Sequence, residues 1–375
     1  MKSAKYLGGR RLHLEQLESR RLLANFLVHT PADSGEGSLR EAIAAANALP
    51  GEDIIRFVAP RMTILLESEI EITESVEIGG RGTDPVIDGQ MSTRLFNFTD
   101  PDGDLLVEYL ELRGGQTFGD NDGPSDSTSS GGALRFDSSG TLEINESTIR
   151  GNGTAGRLAR GGAIFAASGS VIVTDSVISG NHTSGVLAAG GGAAIESGSL
   201  RLTDSVVEGN QTYGNQADGG GLWTESGTLV LEGARITDNA THGSVAHGGA
   251  VASVGGELSL FDSDLSRNQA MGPRSRGGAF AAEGGSFYVM RSKVNDNQVL
   301  RDDGYGGAIY GDELEAQIRD SVIARNRTTG NAGHGGAVHL NSGTLTIVDS
   351  VLDSNQTLAR SARGGQSPST AGRWK

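Results

Sequence analysis

Six carboxylates recur at multiples of 29 residues: Glu146, Asp175, Asp204, Asp262, Asp320 and Asp349. In neighbouring turns of a stacked structure they would stand about 5 Å apart, the separation at which one carboxyl group of a retaining glycosidase protonates the leaving oxygen while the other attacks the sugar. A catalytic pair, however, occurs once and interrupts its surroundings. An acid repeated through most of the chain fits a turn position, where Asp bonds its own backbone and tolerates a left-handed conformation. The set of catalytic residues expected from the sequence is therefore empty. The coil that departs most from the repeat, with Arg301, Asp302 and Asp303 followed by Asp312 and Glu313, is the thin candidate for an enzyme's non-repeating charges.

Other residues point to binding. Asp100, Asp102 and Asp104, and the run Asp120, Asn121, Asp122, supply oxygen ligands of the kind Ca²⁺ takes. Each run also contains Gly at the fourth place rather than the sixth of an EF-hand loop, and Asp-Gly is an ordinary turn sequence. A turn is the preferred reading, with Asp100, Asp102 and Asp104 as weak candidates for Ca²⁺ and no cofactor expected. His242 and His247 share one loop, and His334 and His339 straddle a Gly-Gly pair, so neither pair has a zinc-ligand spacing.

The elements that position these residues follow from the repeat. Asn152, Asn181, Asn210, Asn239, Asn268, Asn297, Asn326 and Asn355 are each 29 apart, and a Gly-Gly pair begins at 161, 190, 219, 248, 277, 306, 335 and 364 with the same period. Gly131-Gly132 lies 30 before Gly161, which implies one extra loop residue in the first copy. Counting back from each Asn, the third residue is aliphatic in every copy, the fifth is Ser in seven of eight, and the eighth runs Ile144, Val173, Leu202, Leu231, Leu260, Val289, Ile318, Ile347. Apolar residues two apart are the signature of strands with one buried face. Each coil reads as three short strands with a Gly turn, a short corner and an Asn turn between them, then a loop of variable composition.

This is the pattern of an all-β protein, a single-stack parallel β-helix of 29-residue coils; a propeller blade needs about 40 residues or more. Equivalent residues of successive coils lie about 4.8 Å apart. The Asn residues then form a ladder whose amides bond up and down the stack. The column that includes Ile164, Leu222 and Phe280 points inward, and its neighbour, with Phe165, Trp223 and Tyr310, points outward, where exposed rings would stack on sugars in a lateral groove. Six of the ladder Asn stand in Asn-x-Thr, whose Thr reads as a loop hydroxyl.

Ahead of the lattice, Ser38 and Glu41 make an S-x-x-E capping box before an Ala-rich run, which predicts a helix from about Leu39 to Ala46. Such a helix would cover the first coil's open edge. The organisation expected is a tail at 1–25, a cap at 26–60, irregular coils at 61–130 and regular coils at 131–375. Past Asn355 the lattice starts another coil at Gly364 and stops, so the strands around Leu345 to Ile347 and Val351 to Leu352 are expected to offer an edge for self-association.

Composition narrows the classes further. Thirty-one Lys and Arg against 46 Asp and Glu leave a net charge of −15, the wrong sign for a nucleic-acid surface. With no Cys, disulfides and thiolate chemistry are excluded. No run approaches the roughly 20 apolar residues of a transmembrane helix.

Three resemblances add to this reading. Leu17, Glu18, Arg20, Leu22 and Leu23 resemble the LEPR-xLL motif at the start of large secreted bacterial repeat proteins, with Ser19 where that motif has Pro. The stretch from Ser38 to Ile43 is similar to the SLREAI-type segment before bacterial right-handed β-helices. Gly161-Gly162-Ala163-Ile164, Gly306-Gly307-Ala308-Ile309 and Gly335-Gly336-Ala337-Val338, each followed by an aliphatic-x-x-Asn, resemble the GGA[ILV] and FxxN repeats of the polymorphic membrane protein family over residues 131–365. The family's Phe is replaced by Ile, Val or Leu. The resemblance implies a right-handed coil and export to the surface or outer membrane of a bacterium. The expected function is non-enzymatic adhesion or envelope contact with a carbohydrate or cell-surface ligand. The alternative is a polysaccharide lyase or glycoside hydrolase on the same scaffold.

Overall fold

The structure, a computed structural model, describes residues 23–119 and 127–358. The Leu17 to Leu22 part of the N-terminal motif, the Asp120 to Gly123 run and residues 359–375 lie outside the described residues. The chain coils into a solenoid of about 11 turns, and every strand pairing in it is parallel. The regular coils carry four strands rather than three. In one coil they are Ile164–Ala166 on face one, Ser170–Thr174 on face two, Val177–Ser179 on face three and His182–Ser184 on face four. The additional strand follows the Asn, in the segment whose variable composition predicts a loop. Stacking builds sheets of ten, twelve, eleven and nine strands on faces one to four.

Register follows the lattice. Thr141 pairs with Ser170 and Arg319 with Val348, both 29 on. Leu134 pairs with Ile164, an offset of 30 that places the extra residue in the first copy. Upstream the coil length varies: Asp53 pairs with Val76, Val76 with Leu105, and Leu105 with Leu142.

Two corners require a left-handed backbone. At the acid position φ is +44° at Glu146 and +48° at Asp175, and where the acid is missing Gly233 (+62°) and Arg291 (+49°) adopt the same conformation. The acid is therefore there for the turn. In the Gly-Gly pair each glycine has its own reason. Gly161 has φ +66°, whereas a Cβ on Gly162 would lie 2.2 Å from the Gly191 carbonyl oxygen of the next coil.

The interior is one continuous column of aliphatics. From Ile144 to Ile318 the eighth-back residues are all 0% exposed, each contributing roughly 1.5–3 kcal/mol of apolar burial. At the N-terminal end the helix Leu39–Ala46 forms as expected, with Glu41 N–H donating to Ser38 Oγ at 3.2 Å. Leu39, Ala42, Ile43 and Ala46 share one helical face and are buried against strands Asn25–Val28, Asp53–Phe57 and Ile70–Ile72. Among the described residues no helix is long and apolar enough to cross a membrane.

Candidate functional site

Between faces three and four the eight Asn form a ladder. Seven are at most 1% exposed and Asn355 is 7% exposed. Each internal Asn donates through Nδ2 to the next Asn Oδ1 and to a carbonyl of the preceding coil: Asn239 to Asn268 at 3.0 Å and to Val207 at 2.9 Å. Its backbone N–H also bonds the next amide oxygen, at 3.0 Å for Asn239. A parallel Ser ladder runs at the preceding corner, where Ser147 N–H donates to Ser176 Oγ at 3.0 Å. The hydroxyl Thr of Asn-x-Thr lies in the fourth strand and points inward, with Thr154, Thr183, Thr212, Thr241 and Thr328 all at 0%. The Asn and Ser side chains hold the coils together, and the burial of all three columns leaves no surface for a ligand.

The sequence-derived binding residues fare differently. Asp100 Oδ1 accepts from Asp102 N–H at 3.3 Å, Asp102 Oδ1 from Ser139 Oγ at 2.7 Å and Asp104 Oδ1 from Thr141 N–H at 2.6 Å. They bond the turn and its neighbour, and no group of three or more His, Asp or Glu fit to hold a metal ion occurs among the described residues. Phe165, Trp223 and Tyr310 do point away from the interior, but their expected exposure is corrected: they are 1%, 6% and 4% exposed. Phe165 and Trp223 form a small second cluster with Ala189, Ala194 and Ala252. Arg135 covers Phe165, at 5.4 Å from the ring centroid, and Arg160 covers Trp223 at 4.3 Å. A cation over the ring face occupies the position a sugar would take. Of the irregular coil's charges, Asp302 accepts from Asn331 N–H, Asp303 and Glu313 are left-handed turn residues, and Asp312 accepts from Asn341 and Ser342.

The place where chemistry changes from coil to coil is the Gly-Gly corner. The residue before the pair runs Arg160, Ala189, Asp218, His247, Arg276, Tyr305, His334, stacked by backbone bonds such as Gly219 N–H to His247 O and Gly277 N–H to Tyr305 O. Beside it stands the outward column ending in Tyr310 and His339. Sequence reasoning missed this set, because the two His pairs were tested for ligand spacing along the chain rather than across coils. The structure separates His242, which stacks on Tyr213 with centroids 4.6 Å apart, from His247 in the Gly-Gly corner. It brings His334 and His339 to 6.0 Å, with the Tyr305 ring 5.3 and 4.8 Å from them. The signal was the contrast of one varied column against many uniform ones.

Electrostatics set this corner apart. Burial pushes the Asp218 carboxyl up to about 7, against the opposing effect of a 2.6 Å bond from His247 N–H. Burial, then the nearby Arg276 charge, brings His247 down to about 4. His339 is lowered by burial, by His334 and by Arg276. Arg276 itself lies 4.7 Å from the Tyr310 centroid and 5.9 Å from Tyr305. Its Nε is buried without a hydrogen-bond partner.

Stacked parallel coils with buried ladders and a variable lateral corner define a parallel β-helix protein. The chain belongs to the right-handed β-helix region family, whose model matches residues 125–371. Among solved structures it is similar to pectate lyase Pel9A, at 14% identity and a TM-score of 0.37 over 86% of this chain and 78% of that one. It is likewise similar to the A-module of the Azotobacter vinelandii mannuronan C-5 epimerase AlgE6, at 14% identity and a TM-score of 0.37 over 88% of this chain and 93% of the other. No curated protein sequence matches it.

Proposed function

We propose that this chain is a non-enzymatic, exported bacterial β-helix protein of the cell surface or extracellular matrix, which contacts carbohydrate through its Gly-Gly corner. The observation that carries the reading is the division of labour among columns. The Asn, Ser and acid columns are consumed by ladders and turns, whereas the corner column changes from Arg to Asp to His to Tyr on an unchanged backbone. Variable side chains on a rigid repeated scaffold are how solenoids present binding surfaces. The export assignment rests on the resemblance of Leu17 to Leu23 to a secretion-associated motif.

An enzyme is the second reading, and Asp218 is what favours it. A carboxyl held near 7 in a site that also contains Arg276 and Glu283 has the properties of a general acid. The bond Asp218 accepts from His247 N–H assigns it instead to joining successive coils. Two assays on the purified chain separate the readings. A glycan array should give saturable binding, and incubation with a panel of polysaccharides should release neither reducing nor unsaturated ends. Release that is lost in Asp218→Asn would replace adhesion by catalysis.

A further inference from the structure

The Gly-Gly corner carries an arginine seated over a ring twice, four coils apart, in different surroundings. Around Arg160, Nη1 bonds Glu196 Oε1 at 2.6 Å and Glu225 Oε2 at 3.3 Å while the guanidinium covers Trp223. Adding 116 residues to each position gives the equivalents Arg276, Asp312, Asn341 and His339. Here neither acid makes a neutralising contact. Asn341 replaces one of them, and Asp312 is shorter and turned to accept from Asn341 Nδ2 at 3.0 Å and Ser342 Oγ at 2.8 Å. Arg276 makes no ion pair among the described residues, and its buried Nε has no acceptor. A buried guanidinium donor without a partner costs free energy that an incoming acceptor recovers.

We propose that Arg276, with Tyr305, Tyr310, His334 and His339, forms an oxyanion site that captures the carboxylate or sulfate groups of a polyanionic glycan. The planar fork of Arg276 matches such groups, and its seat over Tyr310 fixes its orientation. The imidazole-phenol stack of His334, Tyr305 and His339 beside it offers ring faces for the sugar carrying the charge. This deepens the carbohydrate-contact reading above and rests on it.

The site strengthens in acid. The groups facing Arg276 are Asp218 and His247 from the preceding coils, Glu283 from its own, Tyr305, Tyr310 and Asp312 from the next, and His334 and His339 from the one after. Asp218 is held neutral below about pH 7 by burial, so it adds no competing anion. Asp312 is already bonded to Asn341 and Ser342. His339 is neutral at pH 7 and gains its charge only below the usual histidine range, because burial and its cationic neighbours disfavour the proton. A bound anion offsets that cost.

The test uses the whole chain and three polymers on one backbone: dextran, carboxymethyl-dextran and dextran sulfate, with binding measured calorimetrically at pH 5.0 and 7.5 at fixed ionic strength. Both charged dextrans should bind and plain dextran should not, with affinity at least about tenfold higher at pH 5.0; the charged polymer that binds more tightly identifies the group recognised. Arg276→Gln should lose at least about tenfold at both pH values, and Arg276→Lys should recover part of it. His339→Gln should weaken binding and shrink the pH increment, with the protonation of Asp218 supplying the remainder, and Arg267→Gln, at the Asn corner, should leave binding unchanged. Circular dichroism confirms that each variant is folded. Wild-type affinity in folded Arg276→Gln, or equal binding of plain dextran, overturns the oxyanion site. If charged dextrans fail while other glycans bind on an array, only the anion assignment falls; if no glycan binds, both readings fall.

Discussion

Each coil turns at two corners that solve the same problem in opposite ways. At the Asn corner the side chain is the connector. One amide accepts from the preceding coil's Asn, donates to the next, and bonds a carbonyl of the preceding coil, so the residue type cannot change. At the Gly-Gly corner the connector is mainly backbone: the left-handed first glycine and the closely approached second one let successive coils bond through N–H and C=O, and Asp218 adds a carboxylate bond to His247 N–H. The side chain before the pair is then free, and it runs through Arg, Ala, Asp, His and Tyr. In a parallel stack, variation collects where the backbone carries the turn, and that is where recognition belongs.

The largest effect that would sharpen this comparison comes from the ladder. Asn239→Leu removes the acceptor of Asn210 N–H and Nδ2 and the side-chain donor to the Val207 carbonyl, while the Thr237 carbonyl keeps its bond from Gly209 N–H. At roughly 1–3 kcal/mol for each buried group left unsatisfied, the loss should reach about 3 kcal/mol or more. Asn355→Leu strands Asn326 N–H and Nδ2 and the Ile323 carbonyl, but at the last described rung, 7% exposed, water replaces part of these bonds, so the loss should be smaller, about 1–2 kcal/mol. Urea unfolding of the two variants measures both. A variant at position 239 as stable as wild type would mean that the amide is not the connector.

The second effect belongs to the variable corner and is read in pH. Asp218 is raised to about 7, so its folded form holds a proton that the unfolded chain releases above about pH 4. Its contribution is complete below that value and is lost as pH rises toward 7. His247 is lowered to about 4, so the unfolded chain binds a proton below about 6.5 that the folded form refuses, and stability falls as pH drops through that window. The two slopes oppose each other between about pH 4 and 6.5. These two contributions should therefore largely cancel there. Asp218→Asn should make stability climb with pH and His247→Gln should make it decline, by on the order of 1 kcal/mol per pH unit. Parallel slopes in the two variants would refute the pairing.

What the sequence made legible divides along the same line. The ladder, the helix Leu39–Ala46, the inward columns and the turn role of the acids were all visible, because a side chain that must recur leaves a period. The fourth strand was not: His182–Ser184 and its equivalents have one inward residue, two after the Asn and a Thr, Ala or Val, too short a run to show alternation. Nor was the burial of Phe165, Trp223 and Tyr310, because their direction follows from strand period while their cover comes from Arg135, Arg160 and Arg276 at other sequence positions. The Arg276 site was hidden for the related reason that its members come from separate coils and share no type.

The smallest effect tests whether an ion pair can make a corner obligatory. The residue before each Asn has φ near +60° in every coil; it is Gly at 151, 180 and 209, then Asp238, Arg267, Asp296, Arg325 and Ser354. Arg267 pairs with Asp238 at 2.7 Å, with side chains 55% and 50% exposed. An exposed pair contributes roughly 0–1 kcal/mol, while a non-glycine residue in the left-handed region costs about 1–2 kcal/mol. Arg267→Gln should thus lose less than about 0.5 kcal/mol. Arg267→Gly exchanges the pair for an unstrained turn, at the expense of about 0.5–1 kcal/mol of extra chain entropy. It should be as stable as the wild type within about 0.5 kcal/mol, as the three natural glycine copies imply. If thermal unfolding shows both variants losing more than about 1 kcal/mol, the Asp-Arg alternation is itself a connector, and the contrast between side-chain corners and backbone corners would have to admit a third kind.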